Sequence, residues 1–223
     1  MRWLAGAAVV ALVGLLALGT WGLFPRPPVP RWEEAAAAFG ARNAVAAIVL
    51  GARLWDTLLE VLVYAMALVG VRMGLRPLRG TPLAEGERSL LGRALPPVAE
   101  TPLLTRAADI LLGPIVVLSV YIAGSGHLGP GGGFPAGAIL GSGLLLLALA
   151  KGVDRLSQEL HEPSLERVEY GAIAALLALG GLILVLSWRG SWLLVGANVL
   201  IGLEVAIGAW VVLHHFASTR GEV

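Results

Sequence analysis

Apolar runs long enough to cross a bilayer recur along the chain between shorter polar stretches, and this alternation sets the expected architecture. The first run, Leu4 to Phe24, carries no charge and stops at Pro25-Arg-Pro-Pro. At about 1.5 Å per residue it covers a hydrocarbon core of about 30 Å. It is long for a signal-peptide core and lacks a clean A-x-A cleavage site, so it reads as a retained span. A polar connection over 25–42, Pro-rich and then helical from Trp32, leads to a second apolar region from Ala44 to Val71. Residues 72–106 are polar and punctuated by Pro77, Pro82, Pro96, Pro97 and Pro102, which predicts an irregular linker. Further spans are expected at Ala107–Ala123, Phe134–Ala150, Tyr170–Trp188 and Trp192–His215, with a charged loop over Lys151–Arg167. The pattern predicts an all-α integral membrane protein of about six transmembrane helices, in a two-span segment (1–75), a linker (76–106) and a four-span domain (107–223).

Two stretches interrupt this pattern. Between the third and fourth spans lies Gly124-Ser-Gly-His-Leu-Gly-Pro-Gly-Gly-Gly-Phe-Pro-Ala-Gly137, half of it glycine. Pro130 stops the chain there, and Gly131, Gly132 and Gly133 supply backbone angles that other residues avoid, so a tight turn is expected. Gly133, Gly137 and Gly141 then recur at every fourth position, a stripe that lets a second helix approach closely. The second span carries Arg53, Asp56 and Glu60, whose spacing puts them on one helical face with Tyr64 a turn further on. Charges inside a bilayer are expensive unless paired or hydrated, so this face is expected to meet protein or water. Arg53 neutralises one carboxylate and leaves the other to find a partner or a cation. Glu204, in the last span, is another intramembrane carboxylate. His127, at the mouth of the turn, is an ionisable ring suited either to closing the turn or to handling protons. Asp109, near a span end, and Asn198, which is neutral, read as structural.

Composition agrees with the span pattern: 57% of residues are hydrophobic and 14% charged, with a mean hydropathy of +0.81. A soluble domain is usually about 25% charged. The net charge of +1 and the lack of a basic patch interleaved with aromatics exclude a nucleic-acid partner. Cysteine is absent, which removes disulfides, thiolate nucleophiles and Cys-ligated iron–sulfur clusters. With six spans, the Arg-rich linker, the Lys151–Arg167 loop and both termini share one side, against Arg26, Arg31, Arg42 and Arg189 on the other. The positive-inside rule therefore predicts cytoplasmic termini and an outward-facing glycine turn. Gly124-x-Gly126-x-x-Gly129 matches a dinucleotide fingerprint by letter, but a membrane turn lacks the βαβ context that gives that motif meaning. Ser125 with His127, His214 or His215 would make an intramembrane serine hydrolase. The expected topology puts His214 and His215 at the opposite face, which disfavours it.

The segment Gly126-His-Leu-Gly-Pro-Gly-Gly-Gly-Phe-Pro-Ala-Gly137 resembles the GH-x-x-PGGGF-x-x-G signature of the B subunit of Mrp-type (Mnh) Na+/H+ antiporters, also found in membrane-bound hydrogenase complexes. Asn198-Val-Leu-Ile-Gly-Leu-Glu-Val205 is similar to the closing span of those subunits. Upstream, Asn43 to Arg53 and the following Leu-Trp-Asp56-Thr-Leu-Leu-Glu60 resemble the N-x-V-x-x-I…R-x-x-DTLGE segment that ends the antiporter A subunit and forms a separate small subunit in the hydrogenases. Leu59 stands where that segment has Gly. The resemblance implies a fusion of two small, non-enzymatic membrane subunits, without a cofactor, in the cell (inner) membrane. Its implied partners are other Mrp-type membrane subunits, with hydrogenase or other redox-module subunits beside them, and Na+ and H+ as the transported ions. It implies an ion pathway using Glu60, Asp56, Arg53, Glu204 and His127, with Na+ held transiently at Glu60 and Asp56. A purely structural spacer between antiporter and redox modules is the alternative expectation.

Overall fold

The computed structural model describes residues 31–80, 102–184 and 186–219. The expected first span, Leu4–Phe24, and most of the linker lie outside them. The described chain is entirely helical: α1 (Trp32–Phe39), α2 (Ala44–Ala47), a π-helical turn (Ile48–Ala52), α3 (Leu54–Gly80), α4 (Pro102–Ser125), α5 (Gly133–Lys151), α6 (Val153–Glu159), α7 (Glu162–Leu184) and α8 (Ser191–Thr219). Among the described residues, four stretches are long and apolar enough to cross a membrane: Leu54–Gly74, Pro102–Ser125, Gly133–Lys151 and Ser191–His214. A fifth is added if α1 and Ala44–Ala52, which meet at 85°, form one broken span. The expected fifth span corresponds to α7, whose first turns carry Glu166, Arg167 and Glu169.

The apolar region from Ala44 to Val71 is not one continuous helix. Asn43 caps α2, its Oδ1 accepting from the Val45 N–H at 3.0 Å. The chain then widens into the π turn, closed by Arg53 N–H donating to the Ile48 carbonyl at 2.7 Å. Arg53 leaves helical geometry at φ −116°, ψ 31°. Helix α3 restarts at Leu54 with Asp56 in its first turn, where a carboxylate favours the positive end of the helix dipole. Thr57 Oγ1 donates to the Val49 carbonyl at 2.8 Å and fastens the restart to the π turn. Arg53 and Asp56 therefore stand at the beginning of a span and not in the middle of one. Gly51 is needed at the bend, because a Cβ there would lie 2.6 Å from Phe39 Cε2.

Two further stretches are more ordered than their polarity suggests. Helix α3 continues to Gly80, well into the expected linker, and the Lys151–Arg167 loop contains α6 and the start of α7. Polar pairs lie beside both stretches, Arg72 of α3 with Glu169 of α7 and Lys151 Nζ 2.6 Å from Asp109 Oδ1 of α4, and Leu156 of α6 is buried in an apolar core.

Helix α8 runs through the middle of the bundle and packs on α5, α7, α3 and α4. Gly133, Gly137 and Gly141 of α5 face it. A Cβ on Gly133 would sit 2.7 Å from Ile201 Cβ, on Gly137 2.6 Å from Val205 Cβ, and on Gly141 2.7 Å from Ala209 Cβ. Backbone contact replaces side-chain interdigitation along this seam. One core joins α1, the π turn and the first half of α3 to Leu176 and Ile183 of α7 and to Leu193, Leu194, Ala197, Ile201 and Val205 of α8. A second gathers α4, α5 and α6 around Trp210. Ser119 Oγ of α4, donating to the Ala136 carbonyl at 2.8 Å, bridges to α5.

Candidate functional site

The glycine turn is held from two directions by asparagines. Asn43 Nδ2 donates to the carbonyls of Gly126 at 2.8 Å and Gly129 at 2.7 Å, while the His127 carbonyl accepts from Arg42 N–H at 2.9 Å and Asn43 N–H at 3.1 Å. From the other side Asn198 Oδ1 of α8 accepts the Gly133 N–H at 2.9 Å, one of the donors that a helix start leaves unpaired. Gly132, at φ 138°, is the residue that lets the chain turn into α5. Gly126 lies so close to α8 that a Cβ on it would be 2.8 Å from Asn198 Nδ2. Pro130 is exposed at the tip of the turn.

This latching creates a cavity of about 380 Å³ between the Asn43–Ala52 segment, α3, the turn and α8. Its walls are largely apolar, including Val45, Val49, Val61, Phe134 and Ile201, and its polar lining comes from Thr57, Glu60, Tyr64, Asn198 and Glu204. Gly131, Gly132, Gly133 and Pro135 close one side. Glu204 is 2% exposed, and neither carboxylate oxygen has a hydrogen-bond partner among the described residues. A buried polar group without a partner is a strong exception in a folded protein. A buried carboxylate in that state calls for a proton, a cation or water. Asn198 Nδ2 is likewise buried and unpartnered, on the same cavity. Glu60 is exposed at the cavity's edge, and Tyr64 lies between the two carboxylates' helices with its hydroxyl donating to the Val205 carbonyl at 3.4 Å.

The structure thus brings Glu60 and Glu204 to one cavity and leaves three other candidates outside its lining. Arg53 Nε donates to Asp56 Oδ2 at 2.6 Å, and both side chains are exposed. Asp56 is thereby occupied by Arg53, so no acidic pair of Asp56 with Glu60 is assembled in the cavity. His127 is half-buried, its Nδ1 3.1 Å from the Gly124 carbonyl, where it braces the turn. No hydrogen bond joins Ser125 Oγ to a histidine among the described residues; its carbonyl accepts from Leu128 and Gly129 N–H instead. The described residues contain no cluster of three or more His, Asp or Glu able to hold a metal ion. Sequence reading missed Asn43 as a latch and set Asn198 aside as neutral. It also missed the pair made by Arg72 Nη1 and Nη2 with Glu169 Oε1 (3.1 Å) and Oε2.

A multi-pass helical membrane protein with a glycine-rich turn, latched by asparagines over a carboxylate-lined cavity, is the class defined by these features. A family model described as "Domain related to MnhB subunit of Na+/H+ antiporter" matches residues 103–219, more than half of the chain, and the protein belongs to that family. Among solved structures, a chain of the membrane-bound sulfane sulfur reductase, an archaeal respiratory membrane complex, is similar at 25% identity and a TM-score of 0.65, over 94% of this chain and 97% of that one. A chain of the Mrp complex from Dietzia sp. DQ12-45-1b has the same fold, at 24% identity and a TM-score of 0.65, over 96% of this chain. This chain spans 26% of that longer one. No curated protein matches the sequence. The protein is a membrane subunit of an Mrp-type, antiporter-like complex.

Proposed function

We propose that this protein is a non-enzymatic subunit of a cation/proton antiporter module within a respiratory membrane complex, and that its cavity forms part of the sodium and proton pathway. The buried, unpartnered carboxylate of Glu204 facing a cavity edged by Glu60 carries this reading. An acidic oxygen with no protein donor is suited to exchanging a proton for a hard cation, which prefers oxygen ligands. The sodium site implied at Glu60 and Asp56 is therefore better placed at Glu60 and Glu204. Arg53 and Asp56 act at the approach, and His127 acts by holding the turn. End-to-end similarity to one chain of a respiratory complex supports the reading of a two-span segment and a four-span domain working as one subunit. The partners would be other Mrp-type membrane subunits and a redox module, in the cell membrane with both termini cytoplasmic.

The test is sodium-dependent proton transport by the whole complex in vesicles. Glu204→Gln, which keeps size and removes charge, is expected to lower the rate by at least about tenfold, corresponding to about 1.4 kcal/mol or more. Glu60→Gln is expected to reduce it less, and Asp56→Asn least. Unchanged transport in Glu204→Gln and Glu60→Gln would leave the chain as a structural spacer.

A further inference from the structure

The cavity ends before it crosses the bundle. On α3 its lining stops at Tyr64 and on α8 at Val205. Next come Leu68, Ile207 and Val211, 2%, 4% and 2% exposed, packed into one apolar layer with Tyr64 and Leu203 against it. Leu165 of α7 packs on the same layer. Tyr64, Leu68 and Arg72 follow one another at four-residue spacing on α3, so the Arg72 backbone lies one turn past Leu68. Its guanidinium is gripped by both carboxylate oxygens of Glu169, one turn after Leu165 on α7. Side-chain exposure is 7% for Arg72 and 0% for Glu169, and Arg72 Nε has no partner among the described residues. The order along the bundle is an acidic cavity and then three aliphatic side chains, with the Arg72–Glu169 pair tying α3 to α7 beside them.

Resting on the reading that the cavity carries cations, we infer that the Leu68–Ile207–Val211 layer closes the inner end of the cavity and excludes cations from passing straight through this chain. Aliphatic constrictions stop ions by excluding water. The Arg72–Glu169 pair carries no net charge and ties α3 to α7 beside the layer. A cation captured at Glu204 then leaves past Glu60, at the exposed edge of α3, and its transfer is completed by a neighbouring subunit. The chain works as a one-sided loading chamber.

Passive sodium efflux from vesicles carrying the whole complex, without any driving reaction, tests this closure. Wild type is expected to be tight. Leu68→Ser is expected to raise the leak by roughly tenfold, and the paired replacement Arg72→Met with Glu169→Leu, which removes both charges and keeps the bulk, to stay near wild type. A wild-type leak in Leu68→Ser overturns the inference. Because the chain has no cysteine, water access can be mapped independently should Leu68→Ser fail to assemble. A water-soluble thiol reagent is expected to modify Glu60→Cys on this chain and to spare Leu68→Cys and Ile207→Cys; equal modification of all three overturns the closure. The ion-path reading fails separately, through full coupled transport in Glu204→Gln, whatever the leak measurements show.

Discussion

Asn43 shows how much one side chain contributes to this site. Its oxygen caps α2 while its nitrogen donates to two carbonyls of the glycine turn, so every hydrogen-bonding atom of the amide is used. Replacing it with aspartate separates the two tasks: Asn43→Asp keeps the cap and sets a carboxylate against the Gly126 and Gly129 carbonyls. That variant is expected to destabilise by about 2 kcal/mol, since buried acceptors lose their donor, whereas Asn43→Ser retains a cap and removes the repulsion. Thermal unfolding of the purified complex, with limited proteolysis at the turn, compares each with wild type; wild-type stability in both variants argues against the latch. The polar character of Asn43 is visible in the sequence, but its partners are more than eighty residues away, and no spacing rule reaches that far.

At the scale of elements, the seam between α5 and α8 depends on missing side chains. Gly137→Ala would press a methyl against Val205 and is expected to cost about 1–3 kcal/mol through overpacking. Gly171→Ala, in α7 with nothing within 4 Å of the added carbon, is expected to leave stability unchanged or slightly raised. Comparing melting temperatures of the two variants separates close approach from a general loss of backbone freedom. The glycine stripe was legible from its four-residue recurrence, though its partner helix was not. The break at Arg53 was not legible, because apolar residues continue on both sides of it and hydropathy does not register a π turn. Its effect is large: Arg53 and Asp56 move from a supposed mid-span face to the first turn of α3, where they pair with each other.

For the molecule as a whole, the Arg72–Glu169 pair is a buried ionic link between the upstream segment and the later spans. Removing one partner strands a buried charge, so Arg72→Met alone is expected to destabilise by about 3–5 kcal/mol, and the paired Arg72→Met with Glu169→Leu by much less. A double-mutant cycle on unfolding of the complex measures that coupling, and additive losses would show that the two residues act independently. Arg72 follows the apolar run and looks like a loop residue with a positive charge. Only the packing of α3 on α7 shows that it is inside.

Local chemistry determined what the sequence could show by itself. Sustained apolar runs mark membrane helices, half-glycine composition marks the turn, and charged residues within spans mark carboxylates worth testing, because each signal lies within a few turns of chain. Which carboxylates share a cavity was decided by the tertiary structure alone. Glu60 and Glu204 meet there, Asp56 is taken by Arg53, and His127 faces the Gly124 carbonyl, because a 85° corner and a π turn reorient the Asn43–Ala52 segment and two asparagines pin the turn across the bundle. The physical reason is that a hydrogen bond between residues far apart in the chain leaves no periodic trace in either stretch. It forms only once the helices have packed and the unpaired backbone groups of the turn need partners.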